Sequence, residues 1–177
     1  MNTAIRLLQL ALSGITIGSI YAMVAIGFNI IYNSTGIINF AQGEFVMLGG
    51  MLAVFFHRTL GVPLFPAGLL SVAGVACVGV LFERLAIRPL RNPSVITLVI
   101  ITIAASILLK GGAMFIWGKE TFVLPPFSGD VPYRLFGATL LPQTLWIIGF
   151  LFLVVALLTV FFRLTMTGRA MKACAFN

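Results

Sequence analysis

The sequence predicts an all-α, polytopic transmembrane helical bundle of about five crossings. Hydrophobic residues make up 60% of the 177 positions and charged ones 8%, and the mean hydropathy is +1.14. That composition excludes an ordinary soluble domain. Several apolar runs approach or exceed the ~18 residues that mark a membrane span. Basic residues gather in the short segments between those runs, so the net charge of +7 reflects interfacial Arg and Lys, and no nucleic-acid partner is expected. The cysteines, Cys77 within an apolar run and Cys174 in a basic tail, form no disulfide framework.

The first helix is expected over about Leu7–Tyr32, too long for a cleaved signal peptide. Gly14, Gly18 and Ala22 recur every four residues, a small-residue spacing that lets two helix backbones approach closely. They are the candidate packing residues. Ser13, Thr16 and Ser19 fall near that seam, where hydroxyls can bond across helices or face a pore.

The second element is unusual. Phe45–Phe56 is an apolar run of twelve residues, ~18 Å of helix against a ~30 Å hydrocarbon core. A crossing from Gly36 to His57 is long enough, but it carries Asn39, Gln42 and Glu44 to membrane depth. Polar groups there need protein partners or a wetted cavity, so these three are the candidate pathway residues. Asn39 followed three residues later by Gln42 resembles a capping box, which predicts a helix start inside this stretch. With a start at Gly36, Glu44 would stand eight residues into the helix. His57, the single histidine, lacks neighbouring ligands and reads as an interfacial polar residue.

A third helix is expected over Pro63–Phe82, then a basic loop, Glu83–Pro93, in which Pro89 and Pro93 bar a long helix. A fourth spans about Ser94–Trp117, with an interruption near Lys110-Gly111-Gly112, and Lys110 reaching for the interface. Lys119–Gln143 reads as the longest polar connection, with a β-prone piece at Thr121–Leu124. The fifth helix covers about Thr144–Phe162, Trp146 serving as an interface anchor. Beyond it, Arg169 and Lys172 lie three apart and share one helical face, a candidate surface toward a cytosolic partner.

Five crossings put the ends on opposite sides. Arg84, Arg88, Arg91, Arg163, Arg169 and Lys172 then lie inside, against Arg6, Arg58, Lys110, Lys119 and Arg134 outside. The bias favours an N-terminus out and a C-terminus in. No nucleophile–base pair, metal-ligand spacing or phosphate-binding loop is present, so the chain is read as non-catalytic.

Four stretches carry a resemblance: GSIYAMVAIGFNIIYNSTGIINFAQGEFVMLGG (18–50), ERLAIRPLR (83–91), ITLVIITIAASILLKG (96–111) and TGRAMKACAFN (167–177). Together they are similar to the N-terminal part of permease subunits of branched-chain amino acid ABC transporters, of the first-permease type. The resemblance implies an ATP-driven importer of branched-chain amino acids or related amphipathic solutes, in an inner (plasma) membrane. It further implies a second related permease, cytosolic ATPase subunits that use ATP and Mg, and a periplasmic substrate-binding protein, with no cofactor on this chain itself. In that family a complete coupling segment and more helices follow the fifth. Residues 1–177 are therefore expected to be a single permease domain truncated before them. Two other classes fit the polar helix start: a passive channel or secondary carrier, and a non-transporting truncated membrane fragment.

Overall fold

Apolar runs bounded by glycine, proline and serine become helices throughout the computed structural model, which describes residues 3–90, 93–129, 131–135 and 137–176. Arg91 and Asn92 lie outside the described residues, as do the side chains of Arg134, Lys172 and Cys174. In order the elements are α1 (Thr3–Thr35), α2 (Gln42–Val54), α3 (Leu64–Phe82), α4 (Val95–Trp117), β1 (Tyr133–Leu135), β2 (Ala138–Leu140), α5 (Pro142–Leu164) and α6 (Met166–Phe176). Two π-helical turns, Phe55–Thr59 and Glu83–Ile87, extend α2 and α3. By length and apolar composition four helical segments qualify as spans: Thr3–Asn33, Leu64–Ile87, Val95–Trp117 and Pro142–Leu164. The run from Gln42 to Thr59, 13 residues of α-helix and 5 of π-helix, comes to ~27 Å.

Several expected boundaries shift for local reasons. Helix α1 begins at Thr3 and continues to Thr35. It stops at Gly36, whose φ of +68° is the left-handed conformation that closes helices and whose N–H donates to the Tyr32 carbonyl at 2.7 Å. The Lys110-Gly111-Gly112 interruption does not occur, because α4 runs unbroken to Trp117. Each glycine costs a helix ~1 kcal/mol. An unsatisfied backbone group in hydrocarbon costs several, so the hydrogen-bonded helix wins. Residues Thr121–Leu124 form no strand, and the β-structure is instead the antiparallel hairpin β1–β2.

The chain divides into two units, 1–36 with 125–177, and 37–124. In the first, α1 and α5 run parallel. Thr16 near the start of α1 meets Thr144 in the first turn of α5, and Ile26 further along shares a groove with Val155, Leu158 and Phe162. Gln9 holds the hairpin onto α1: its Oε1 accepts the Thr139 N–H at 2.8 Å, and its Nε2 donates to the Thr139 carbonyl at 3.0 Å. Thr139 pairs with Arg134 one step from the hairpin's closing pair, so its backbone groups point away from β1. The Gln9 amide takes the place of a third strand there. Phe127, Trp146 and Phe150 cluster with ring centroids 5.7–6.3 Å apart, and Trp146 Nε1 donates to Ser128 Oγ at 2.7 Å.

Helix α6 turns off α5 at Thr165, whose hydroxyl accepts the N–H of Gly168, three residues on, at 3.0 Å. Gly168 is buried, and a Cβ on it would stand 2.4 Å from the Phe161 carbonyl oxygen and 2.8 Å from Phe162 Cα. The corner therefore requires glycine.

The second unit packs α2 against α3 and α4. A Cβ on Gly74 would meet Leu52 Cδ1 at 3.0 Å, so the small residue permits the close α2–α3 approach. Leu48, Ala53 and Val54 of α2 are buried in this core with Ala67, Leu98 and Ala105.

Candidate functional site

The polar approach to α2 is built from a turn and a helix start. Asn39 Oδ1 accepts the N–H of Ala41 at 3.0 Å, closing an Asx turn, while the Asn39 carbonyl accepts the N–H of Gln42 at 3.3 Å. The N-cap is Ala41, fully buried, whose carbonyl accepts from both Glu44 and Phe45 at 3.1 and 3.2 Å. The capping box expected of Asn39 and Gln42 is thus absent. The Asn39 side chain engages two residues downstream instead of three, and its backbone carbonyl meets Gln42.

This moves Glu44. It is the third residue of α2, in the first turn, and not eight residues into a helix that starts at Gly36. A carboxylate in the first turn faces the positive end of the helix dipole, which stabilises the charged form by ~0.3–1 kcal/mol in exposed settings and more when partly buried. Glu44 is half-buried, as are Gln42 and Asn39. Gly43 between them is exposed, and a Cβ on it would meet nothing within 4 Å. Asn39, Gln42 and Glu44 therefore lie within one turn of the start of a helix whose remaining turns are apolar, with Gln42 and Glu44 on different faces of it.

The other sequence candidates lie elsewhere. Gly14 and Gly18 are exposed, and a Cβ at either would meet nothing within 4 Å; Ala22 is half-buried. At ~100° per residue, Thr16 lies on the far side of α1 from this stripe, while Ser19 flanks it, about 100° from Gly18 and about 60° from Ala22. Ser19 is buried and bonds the Ile15 carbonyl at 2.7 Å, and among the described residues of its own unit nothing covers Gly14 or Gly18. Arg169 is exposed and reaches back to the Leu164 carbonyl at 3.4 Å, a cation on the C-terminal end of α5. Lys172 lies on α6, its side chain outside the described residues. His57 Nδ1 lies 2.8 Å from the Val62 carbonyl, and since a carbonyl only accepts, Nδ1 carries the proton. Among the described residues no group of three His, Cys, Asp or Glu stands close enough to hold a metal ion.

Gly168 and Gln9 escaped the sequence reading. A threonine three residues before a glycine hints at the α6 cap, but the contact of Gly168 with the α5 backbone and the reach of Gln9 across 130 residues leave no local signal.

Residues 10–177 match the family model described as branched-chain amino acid transport system / permease component. The chain is similar to the high-affinity branched-chain amino acid transport system permease protein LivH of Escherichia coli K12, 34% identical over 182 aligned positions that cover 95% of this chain and 58% of that protein. It is similar to BraD, the corresponding permease protein of Pseudomonas aeruginosa, at 31% identity over 95% of this chain and 59% of that protein. A probable LivH of Methanocaldococcus jannaschii is 35% identical over 52% of this chain and 30% of its own length. The chain thus spans about 58% of the length of the first of these relatives. No solved structure matches.

Proposed function

The chain belongs to the branched-chain amino acid transport permease family, and from that membership we propose that it forms part of the membrane pathway of an ATP-driven importer for branched-chain amino acids or related amphipathic solutes. The observation that carries the reading is the cluster of Asn39, Gln42 and Glu44 at the start of an otherwise apolar helix. Glu44 suits a substrate ammonium group, and the side-chain amide of Gln42 can donate to its carboxylate. ATP and Mg are handled by partner ATPase subunits. A periplasmic binding protein delivers the solute, and a second related permease completes the path.

Copurification tests this against a passive channel or carrier. A tagged permease is expected to bring down ATPase subunits in stoichiometric amount, and a preparation that transports without them would support a carrier.

The membrane in this reading is the inner (plasma) membrane. The number of crossings follows from parity. Helices α1 and α5 run in the same direction and both are long enough to span, so an odd number of crossings separates them. The α3 and α4 spans supply two, and α2 with its π-turn supplies the third. That gives five crossings and puts the two ends on opposite sides, and the basic residues Arg84, Arg88, Arg163 and Arg169 favour the N-terminus out and the C-terminus in. Cysteines placed at Ser128 or Val131, and an epitope at the N-terminus, are expected to react with impermeant reagents from outside, whereas cysteines at Ala86 or Arg88 are shielded. An N-terminus and residue 88 on the same side would remove the α2 crossing.

The bare Gly14–Gly18 face is the seat of the second permease in this account. A leucine at position 18 has free space within its own unit, so Gly18→Leu leaves the chain's own stability within about 0.5 kcal/mol. Assembly with the second permease is expected to fall sharply, because the larger side chain parts the two backbones. Equal recovery of the permease pair on size-exclusion chromatography would show that this face meets lipid.

A further inference from the structure

Three hydroxyls within α1 share one habit. Thr16 and Ser19 both bond the carbonyl four residues back, at 2.9 and 2.7 Å, and so does Thr35 at 2.7 Å. Ser13, on the same helix, makes no such bond among the described residues. It lines a cavity of about 280 Å³ in the first unit, together with Gln9, Leu12, Thr16, Leu141 and Thr144. That volume lies just below the ~300–1,000 Å³ of sites for drug-sized ligands, which suits a solute the size of an amino acid.

The polar groups at this cavity can be followed proton by proton. Thr16 Oγ1 lies 2.9 Å from the Leu12 carbonyl and 3.3 Å from Thr144 Oγ1. One hydroxyl proton serves one acceptor, and the shorter contact, to a carbonyl, takes it. Thr144, 8% exposed, then gives its own proton to Thr16 and keeps lone pairs as acceptors. Gln9 uses one Nε2 proton on the Thr139 carbonyl and retains a second. Ser13 can donate or accept. The cavity therefore offers acceptors for an ammonium group and donors for a carboxylate, beside the apolar Leu12 and Leu141. Among the described side chains no Asp, Glu, Lys or Arg lines it. Walls of hydroxyls, one amide and leucine penalise a solute of net charge and tolerate a neutral zwitterion with an apolar side chain.

The geometry points to this cavity, between the first half of α1 and the first turn of α5, as an outer subsite for a neutral amphipathic α-amino acid, with Ser13 and Thr144 holding its charged end. This rests on the transport reading above and adds to it a second place on the path, remote in sequence from Asn39–Glu44.

The test uses the assembled transporter in proteoliposomes, with Cys77 and Cys174 replaced by alanine and Ser13→Cys introduced. Leucine or valine at ten times its Kd is expected to slow modification of that cysteine by a small thiol reagent about tenfold. Lysine and glutamate at the same concentration leave the rate unchanged. A Ser128→Cys control is not protected by any of them. Ser13→Ala is expected to raise the KM for leucine uptake several-fold with little change in kcat. Absence of protection by leucine, equal protection by charged amino acids, or an unchanged KM would each overturn the subsite. Leucine uptake by the parent preparation is scored separately, so the transport reading survives or falls on that measurement alone.

Discussion

Gly168→Ala opens the corner between α5 and α6. The added Cβ would fall 2.4 Å from the Phe161 carbonyl oxygen and 2.8 Å from Phe162 Cα, and both neighbours are backbone. A flexible side chain could swing away; a helical carbonyl cannot without breaking the last turn of α5. Overpacking an ordinary core site costs ~1–3 kcal/mol, and this site lies at or above the upper end of that range. The Thr165 cap, which holds the Gly168 N–H at 3.0 Å, is lost with it. Hydrogen exchange in the α6 amides is expected to rise by at least tenfold while exchange in α3 and α4 stays as before. Because α6 carries Arg169 and Lys172, recovery of ATPase subunits on the tagged permease is expected to drop as well. Unchanged α6 protection would show that the corner relaxes around a methyl group.

Glu44→Gln is expected to cut uptake at least tenfold, about 1.4 kcal/mol of lost stabilisation, while leaving assembly and ATP hydrolysis intact. Glu44 is one of four acidic residues and stands half-buried in the first turn of α2. Glutamine keeps the size and much of the hydrogen bonding but removes the charge, so the change isolates attraction for a substrate ammonium group. The dipole contribution lost on neutralising a first-turn carboxylate is at most ~2 kcal/mol at a partly buried position, too little to unfold the unit. Loss of assembly would assign Glu44 to holding the helix start. Normal uptake would remove it from the path.

The spans were legible because hydropathy is a property of whole segments, and α3, α4 and α5 fall within two residues of the boundaries read from composition. What the sequence hid was decided by single contacts. Asn39 and Gln42 fit a capping pattern, yet the Asn39 side chain has a nearer donor in Ala41, and the helix begins at Gln42. Gly111 and Gly112 look like a break, but a broken helix at membrane depth leaves backbone groups unsatisfied. The β-prone Thr121–Leu124 found no partner strand, whereas Tyr133–Leu140 has a glycine at φ +88° to turn on and the Gln9 amide to bond one edge. The Gly14–Gly18 stripe was visible as a spacing, but only the structure shows that nothing among the described residues of its own unit covers it. The pathway role of Asn39, Gln42 and Glu44 is a proposal, and even their setting was not legible, since Glu44 moved from mid-helix to first turn with the helix start.

The most direct measurement is accumulation of radiolabelled leucine in proteoliposomes holding this permease with its partner permease and ATPase subunits, the binding protein supplied on the outer side. The account predicts accumulation above the external concentration that requires ATP hydrolysis and is abolished by an inactive ATPase. Equilibration of leucine to the external concentration with or without ATP would contradict it, and would make the chain part of a passive pathway.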